Sequence, residues 1–274
     1  MSVKSNKRET LLSKLMAARK NVFCAIAAAA LGLCCLGSSA SAQFYQENSL
    51  GLFYGDGFRF GGNGIDETSR TMLEFQHFSA YNSGDLYLFF DSYRDHDWDG
   101  SSPRLDYYGE AYAHLSGKSL GLSFGDGVLS DIGLGVGLNA GNDFLVGIYG
   151  ARASFKVPGF SVLTLGAYAY DNIVDPFNRN LDTTYQVTLV WDAPFTVGSQ
   201  KFSTGGVVDW IGSQGSGVAK QVYFQPEVRW DVGNALGQKE GSFLAGLRYV
   251  HFRNKYGVEG VNDNAVSAFL LKKF

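Results

Sequence analysis

Lys220-Gln221-Val222-Tyr223-Phe224-Gln225-Pro226-Glu227-Val228-Arg229-Trp230-Asp231-Val232 is the stretch on which the fold turns. Its even positions, Val222, Phe224, Pro226, Val228, Trp230 and Val232, are apolar, and its odd positions from Gln221 to Asp231 are polar. Strict alternation at period two is a strand with one dry and one wet face. Its length approximates the ~9 to 11 residues that a tilted strand needs to cross a bilayer. Leu181 to Trp191 repeats the pattern, with Tyr185, Val187, Leu189 and Trp191 opposite Asp182, Thr184, Gln186 and Thr188. Asp106 to Leu115 repeats it again, with Asp106, Tyr108, Glu110, Tyr112 and His114 on one face.

Working outward from these segments, no helical period longer than two turns occurs after Gln43, whereas alternating segments recur to the end of the chain. Twelve are counted, at approximately 49–60, 69–80, 85–94, 105–115, 130–141, 143–155, 160–171, 181–191, 201–212, 220–232, 242–255 and 262–274. An even count suits an all-β transmembrane antiparallel up-and-down barrel with both termini in the periplasm. That orientation places 61–68, 95–104, 172–180, 213–219 and 256–261, with the tight 141–142 turn, outside the cell. The last strand ends on Phe274 with Leu270, Ala268 and Val266 in phase, and Lys272 breaks that phase. A soluble jelly roll or sandwich is the competing architecture. It leaves unexplained why aromatics share a face with aliphatics near the strand ends.

The 274-residue composition agrees. It is 45% apolar, 15% aromatic and 18% charged, with 35 Gly and only 5 Pro. A bundle of membrane helices would need ~20 consecutive apolar residues per span, and none is present. A formal charge of -3 gives no reason to expect nucleic-acid binding. Disordered and collagenous classes fail because there are 21 Phe and 15 Tyr and no strict glycine period.

The first 42 residues read as a secretory signal. Lys4, Lys7, Arg8, Lys14, Arg19 and Lys20 precede an apolar run from Val22 to Leu36, and Ala40-Ser41-Ala42 forms an A-x-A site before Gln43. The run is too short for a retained anchor. Cys24, Cys34 and Cys35 all fall in this segment, so the exported chain 43–274 carries no disulfide. Neither Leu33 nor Cys34 is the small residue that lipid modification of the following cysteine favours. Removal of six of the 23 basic and one of the 26 acidic residues leaves 17 against 25, a net charge of -8. An acidic, cysteine-free, tyrosine-rich exported chain suits the Gram-negative outer membrane, where closed strands satisfy every backbone group.

Twelve strands ~4.8 Å apart and tilted by ~40° close a cylinder of roughly 24 Å backbone diameter. Side chains narrow this to a lumen fit for single small solutes. On 130–141 the inward set is Asp131, Gly133, Gly135, Gly137 and Asn139. Such a strip either leaves open space or admits an inward-folded loop. The inward phase elsewhere contains Tyr87, Phe89 and Asp91; Tyr108, Glu110, Tyr112 and His114; Tyr168 and Tyr170; and Tyr223, Gln225, Glu227 and Arg229. Rings beside ionisable groups stack a planar base at ~1 to 3 kcal/mol per contact. Carboxylates, amides and tyrosine hydroxyls bond base edges and sugar hydroxyls. For any single residue, plain lumen packing or an interfacial girdle is the competing reading.

Five pieces carry a family resemblance: Gly84-Asp85-Leu86-Tyr87-Leu88-Phe89-Phe90-Asp91, Trp191-Asp192-Ala193-Pro194-Phe195, Asp209-Trp210, Gln225-Pro226-Glu227-Val228-Arg229-Trp230-Asp231, and the closing strand to Phe274. In this order, over nearly the whole exported chain, they resemble the Tsx-type nucleoside-specific channel-forming proteins of the outer membrane. The resemblance implies a monomeric twelve-stranded channel that admits nucleosides and deoxynucleosides passively, without cofactor. It also implies external loops used by phage or colicin. It places Tyr87, Phe89, Asp91, Glu227 and Arg229 in matching pore segments, while Tyr108, Glu110, Tyr112 and His114 rest on alternation alone.

Other chemistries are weaker. Asp95-His96-Asp97-Trp98-Asp99-Gly100 fits the first half of a calcium loop, with Asp106 at the twelfth place, but it lies between strands and has Ser102 at position eight. A solvated acidic loop is the alternative. A lipid-facing hydrolase needs Ser and His together. His77 and Ser79 share a face, with no orienting acid or amide identifiable from sequence. His96, His114 and His251 lack metal-ligand spacing. No metal, cofactor, catalytic residue or nucleic-acid partner is expected. A general small-solute pore and an adhesive surface barrel without transport remain the alternatives to a nucleoside channel.

Overall fold

The computed structural model describes residues 43–60, 64–97 and 105–274. Residues 1–42, the expected signal segment with its expected cleavage site, lie outside the described residues. The chain forms β1 (Gln43–Phe58), β2 (Thr68–Tyr81), β3 (Gly84–Asp95), β4 (Leu105–Leu115), β5 (Leu129–Gly141), β6 (Phe144–Phe155), β7 (Val162–Val174), β8 (Thr184–Val197), β9 (Gln200–Ile211), β10 (Gln221–Asp231), β11 (Phe243–Arg253) and β12 (Asp263–Lys273). Each strand pairs antiparallel with its sequence neighbours, and β1 pairs with β12 from Ser49↔Lys273 to Asp56↔Val266, which closes the ring. A closed ring leaves no row of unpaired backbone groups.

The twelve expected strands all form, with three shifts in extent. β1 starts at Gln43 instead of near 49, with a register irregularity between Gln43 and Tyr45 that hides the alternation. β7 runs to Val174, past the expected 171, and so shortens the following loop. β8 runs past Pro194 to Val197 because Pro194 pairs with Ser203 without ending the ladder, and Gly198, at φ 61, turns the chain into β9. The described parts of the segments expected outside the cell lie at one end of the barrel, and both described termini lie at the other.

The outer wall is apolar. Leu52 is 53% exposed and Leu247 58%, with Leu134, Val228, Val266 and Leu270 similarly open. Tyr54, Tyr107, Tyr185 and Trp210 stand on this face near the loop end, and Phe195 and Trp230 near the terminus end. An aliphatic band between two aromatic girdles is the surface of a barrel solvated by lipid.

The inner wall is built from rings laid on glycines. A Cβ at Gly51 would come 2.6 Å from the Phe53 ring, at Gly137 2.5 Å from Tyr112, at Gly135 3.1 Å from Tyr168, and at Gly246 2.5 Å from Phe269. The glycines of β5 therefore neither open the lumen nor admit a loop, which corrects both expectations. They seat the tyrosines of β4 and β7. Phe53, Leu244, Phe269 and Leu271 form one buried cluster with Met72 against it. Val146, Ile148, Tyr170 and Ile211 form another, and Phe58, Val250 and Ala265 a third. Rings seated on glycines and three apolar clusters thus take up much of the interior.

Candidate functional site: the lumen

Alternation places all thirteen candidate residues on the inner face, but in different roles. Tyr87 and Phe89 on β3 pair in register with Tyr112 and Glu110 on β4. Their rings begin a chain. Tyr87 lies 6.1 Å from Phe89, Phe89 6.0 Å from Tyr108, Tyr108 6.1 Å from Phe144, and Phe144 5.6 Å from Tyr256. At the loop end Tyr256 also meets Phe60 at 5.8 Å, Phe177 at 6.4 Å and Phe252 at 6.0 Å, and Phe252 meets Tyr223 at 5.3 Å. Centroid separations near 6 Å are ordinary for interacting aromatic pairs. The result is a continuous aromatic path from the mouth to mid-barrel.

Polar groups flank this path. Tyr108 donates to Glu110 Oε1 at 2.6 Å, and Tyr112 donates to Asn139 Oδ1 at 3.1 Å. Tyr223 donates to Gln225. Asp209 Oδ1 accepts from Thr188 at 2.5 Å and from Gln186 at 3.0 Å. Tyr87, Phe89, Tyr108, Glu110, Tyr112, Tyr168, Tyr223, Gln225 and Asp209 are half-buried on the inner face.

Other candidates belong to the wall. Arg248 on β11 reaches across to β2, where its Nη1 and Nη2 donate to Glu74 at 2.7 and 3.0 Å, and its Nε donates to Glu227 at 2.5 Å. Its guanidinium lies 4.0 Å from the Phe53 ring centroid. Glu227 continues to Arg229 at 3.7 Å, and Arg229 to Asp192 at 2.5 Å. Alternating charges across four strands fix the cross-section of the barrel. His114 and Tyr170 face inward but are sealed. His114 Nδ1 lies 2.9 Å from Arg152 Nη2 beside the Arg152–Asp85 pair, and Tyr170 packs in the second apolar cluster. Glu227, Arg229, His114 and Tyr170 thus hold the wall in shape. Glu74, Arg248 and Arg152 were not singled out from sequence, and Asp85 and Asp209 stood only within motifs, although their inward phase on β2, β11, β6, β3 and β9 marks them.

The mouth is partly covered. Asn254 and Tyr256 both adopt left-handed backbone, at φ 51 and 56, and turn loop 254–262 inward. Lys255 Nζ donates to the Arg59 carbonyl at 2.6 Å and to Asp263 at 2.7 Å. Arg179 donates to the Tyr256 carbonyl at 2.7 Å and grips Asp175. Burial acts to raise the Asp175 carboxyl, yet the Arg179 side chain and the Arg179 and Phe177 amides hold it below the ordinary 3.8. Burial pushes the Tyr256 hydroxyl up to about 12.

Two alternatives change in the structure. Asp95 spends both oxygens on Arg70, at 2.7 and 3.2 Å, which removes the first position of the suspected calcium loop. Asp99, Gly100 and Ser102 lie outside the described residues. On the lipid face, His77 Nε2 is 3.1 Å from Ser79 Oγ and His77 Nδ1 is 2.8 Å from Asn48 Oδ1, so the orienting amide not identifiable in the sequence exists after all. Ser79 is nevertheless 0% exposed and lies within the ladder between Gln46 and Leu86, out of reach of a substrate carbonyl. The three side chains satisfy one another.

No family model matches the sequence, and no curated protein matches it. Among solved structures, the KdgM porin is similar at 10% identity and a TM-score of 0.46 over 82% of this chain and 99% of that one. The same porin in complex with disordered oligogalacturonate gives a TM-score of 0.45 over the same shares, at 10% identity. An outer membrane channel from Pseudomonas putida F1 is 11% identical, with a TM-score of 0.44 over 86% of this chain and 98% of that one. Likenesses this distant say nothing about what passes through this barrel.

Proposed function

We propose that the chain is an outer-membrane channel through which nucleosides and deoxynucleosides diffuse passively, as a monomer and without cofactor. The carrying observation is the aromatic path from Phe60, Phe177 and Tyr256 through Phe144, Tyr108 and Phe89 to Tyr87, with Glu110, Gln225 and Asn139 alongside. A planar base exchanges one ring for the next at ~1 to 3 kcal/mol per stack, weak enough that entry does not become trapping. The resemblance of the ordered motifs to those of the Tsx-type channels supports the same solute class. Residues 1–42 serve as the export signal in this reading, and the external loops are the surface available to phage or colicin.

Planar-bilayer recording of the purified barrel tests it. The expected result is a small conductance that adenosine reduces in the millimolar range, with the reduction weakened several-fold in Phe89→Ala and Tyr108→Ala. Glu227→Ala is a poor test because that carboxylate also anchors Arg248. Conductance without adenosine block would make the protein a general small-solute pore. Complete absence of conductance would favour an adhesive barrel, which the ring cluster over the mouth also fits.

A further inference from the structure

Two cations stand on the outer wall at the loop end. Arg253 closes β11 and Lys220 precedes β10, and both are exposed. Val222 pairs in register with Arg253 on one side and with Trp210 of the outer girdle on the other, so Arg253 shares the outward phase. Lys220 lies two positions before Val222 in that phase, a diagonal neighbour of Arg253. Its carbonyl accepts from Asn254 Nδ2 at 2.9 Å, which holds it beside the end of β11. Among the described residues, neither cation has a carboxylate partner. Asp56, an outward carboxylate of β1, lies in the row of Val266 and Tyr249, two strands from Arg253 and well below it. Glu259 on the adjoining loop is exposed and pairs with neither. Acidic residues outnumber basic ones over the whole chain, 26 to 23, so the pair is not a sample of a generally basic surface.

The wall beneath is arranged to match. His251 pairs in register with Phe224 and with Asn264. Asn264 Oδ1 accepts from the Tyr249 hydroxyl at 3.2 Å and from His251 Nδ1 at 2.8 Å. An amide oxygen only accepts, so both bonds fall on that atom and leave the amide hydrogens of exposed Asn264 free to donate. Trp191, Phe224, Tyr249 and His251 form a continuous ring surface, with successive centroids 6.2, 6.5 and 6.5 Å apart. Aromatic rings of this kind settle at the level where headgroups meet acyl chains. Basic side chains at that level attract anionic headgroups. A guanidinium grips phosphate oxygens in pairs, and an ammonium adds a point charge.

Resting on the outer-membrane reading and its orientation, we propose that Arg253, Lys220 and Asn264 bind the phosphate of an acylated, phosphorylated lipid in the external leaflet. Its chains lie along the rings below. The lipid is a partner of the outer wall and takes no part in what crosses the lumen.

The probe is hexa-acyl diphosphoryl lipid A, mixed with the full-length purified protein in detergent and followed by native mass spectrometry. One lipid per barrel is expected, bound at least tenfold more tightly than the same lipid with both phosphates removed. Lys220→Gln/Arg253→Gln, checked for native heat-modifiable gel mobility, should weaken the diphosphoryl lipid at least tenfold. Lys118→Gln, an exposed cation at the terminus end, should leave it within twofold. If the double variant does not fold, Arg253→Gln alone should weaken binding at least threefold. Equal binding of the two lipids, unchanged binding in the variants at 220 and 253, or an equal loss in Lys118→Gln overturns the proposal. Displacement of the lipid by millimolar inorganic phosphate also overturns it, because the site would then be one for the free ion. Adenosine block, recorded on the same preparation, judges the channel reading separately: its absence would remove that reading and leave the lipid site in place.

Discussion

Removing the Arg248 side chain should expose how dry the interior is. In Arg248→Met the chain keeps a long apolar stem but loses hydrogen bonds of 2.7 and 3.0 Å to Glu74 and of 2.5 Å to Glu227, along with the cation stacked 4.0 Å from Phe53. Arg248 and Glu74 are 5% and 4% exposed at the side chain, so the stranded carboxylates cannot turn to bulk water. Breaking such a buried pair from one side costs about 3 to 5 kcal/mol. Neutralising the partners as well, in Glu74→Gln/Glu227→Gln/Arg248→Met, removes the stranded charges. The cost should then fall to about 0 to 2 kcal/mol, since wholesale replacement of a buried ion group is often neutral. Urea unfolding from phospholipid vesicles, followed by tryptophan fluorescence and by the native and unfolded gel bands, gives both numbers. A single-variant loss under about 1 kcal/mol, the size of an exposed ion pair, would refute the reasoning and show the network to be bathed in water.

Three further outcomes can be checked. Gly137→Leu places a side chain where the Tyr112 ring lies 2.5 Å from a Cβ, and displacement of that ring into the passage should lower single-channel conductance several-fold; unchanged conductance would mean the ring is not seated there. The Asp175 carboxyl sits below its ordinary 3.8, so its grip on loop 175–183 is complete above that value and is lost as pH falls through the lower folded one. A fluorophore at Asn180→Cys, in a chain whose own cysteines, Cys24, Cys34 and Cys35, are replaced by Ser, should stay immobile at neutral pH and loosen below about 3.8. Adding Asp175→Asn should loosen it at neutral pH, and an identical signal in both would disprove the latch. Finally, a fluorophosphonate should leave Ser79 unmodified because its hydroxyl is sealed, and covalent labelling there would reopen the hydrolase reading.

Period two carried most of the architecture, because each strand lies between lipid and a polar interior and must alternate to satisfy both. β10, β4 and β12 are legible for that reason. Where something interrupts the backbone, legibility fails. The irregular register after Gln43 masks the start of β1, and Pro194 looks like a terminus although its strand continues to Val197. The ion network was invisible for another reason: Glu74 and Arg248 belong to β2 and β11, and only closure brings them together. The same holds for the mouth, where Phe60, Phe177 and Tyr256 come from three loops with no common period. Inward phase identifies lining residues. It does not distinguish those bordering the passage, such as Tyr108, from those spent on the wall, such as His114 and Tyr170.

The pairing of β1 with β12 has a consequence for assembly. Asn48 and Phe274 exchange backbone bonds of 3.3 and 2.9 Å, so the seam is sewn by the beginning and the end of the same strip. Bringing together points so distant along a polymer costs on the order of 5 kcal/mol in chain freedom by the logarithmic law, recovered only when the final strand docks. An eleven-strand arc has two raw margins and nowhere in hydrocarbon to hide them. Products shortened by the last strand should therefore accumulate outside the bilayer and never appear as smaller cylinders.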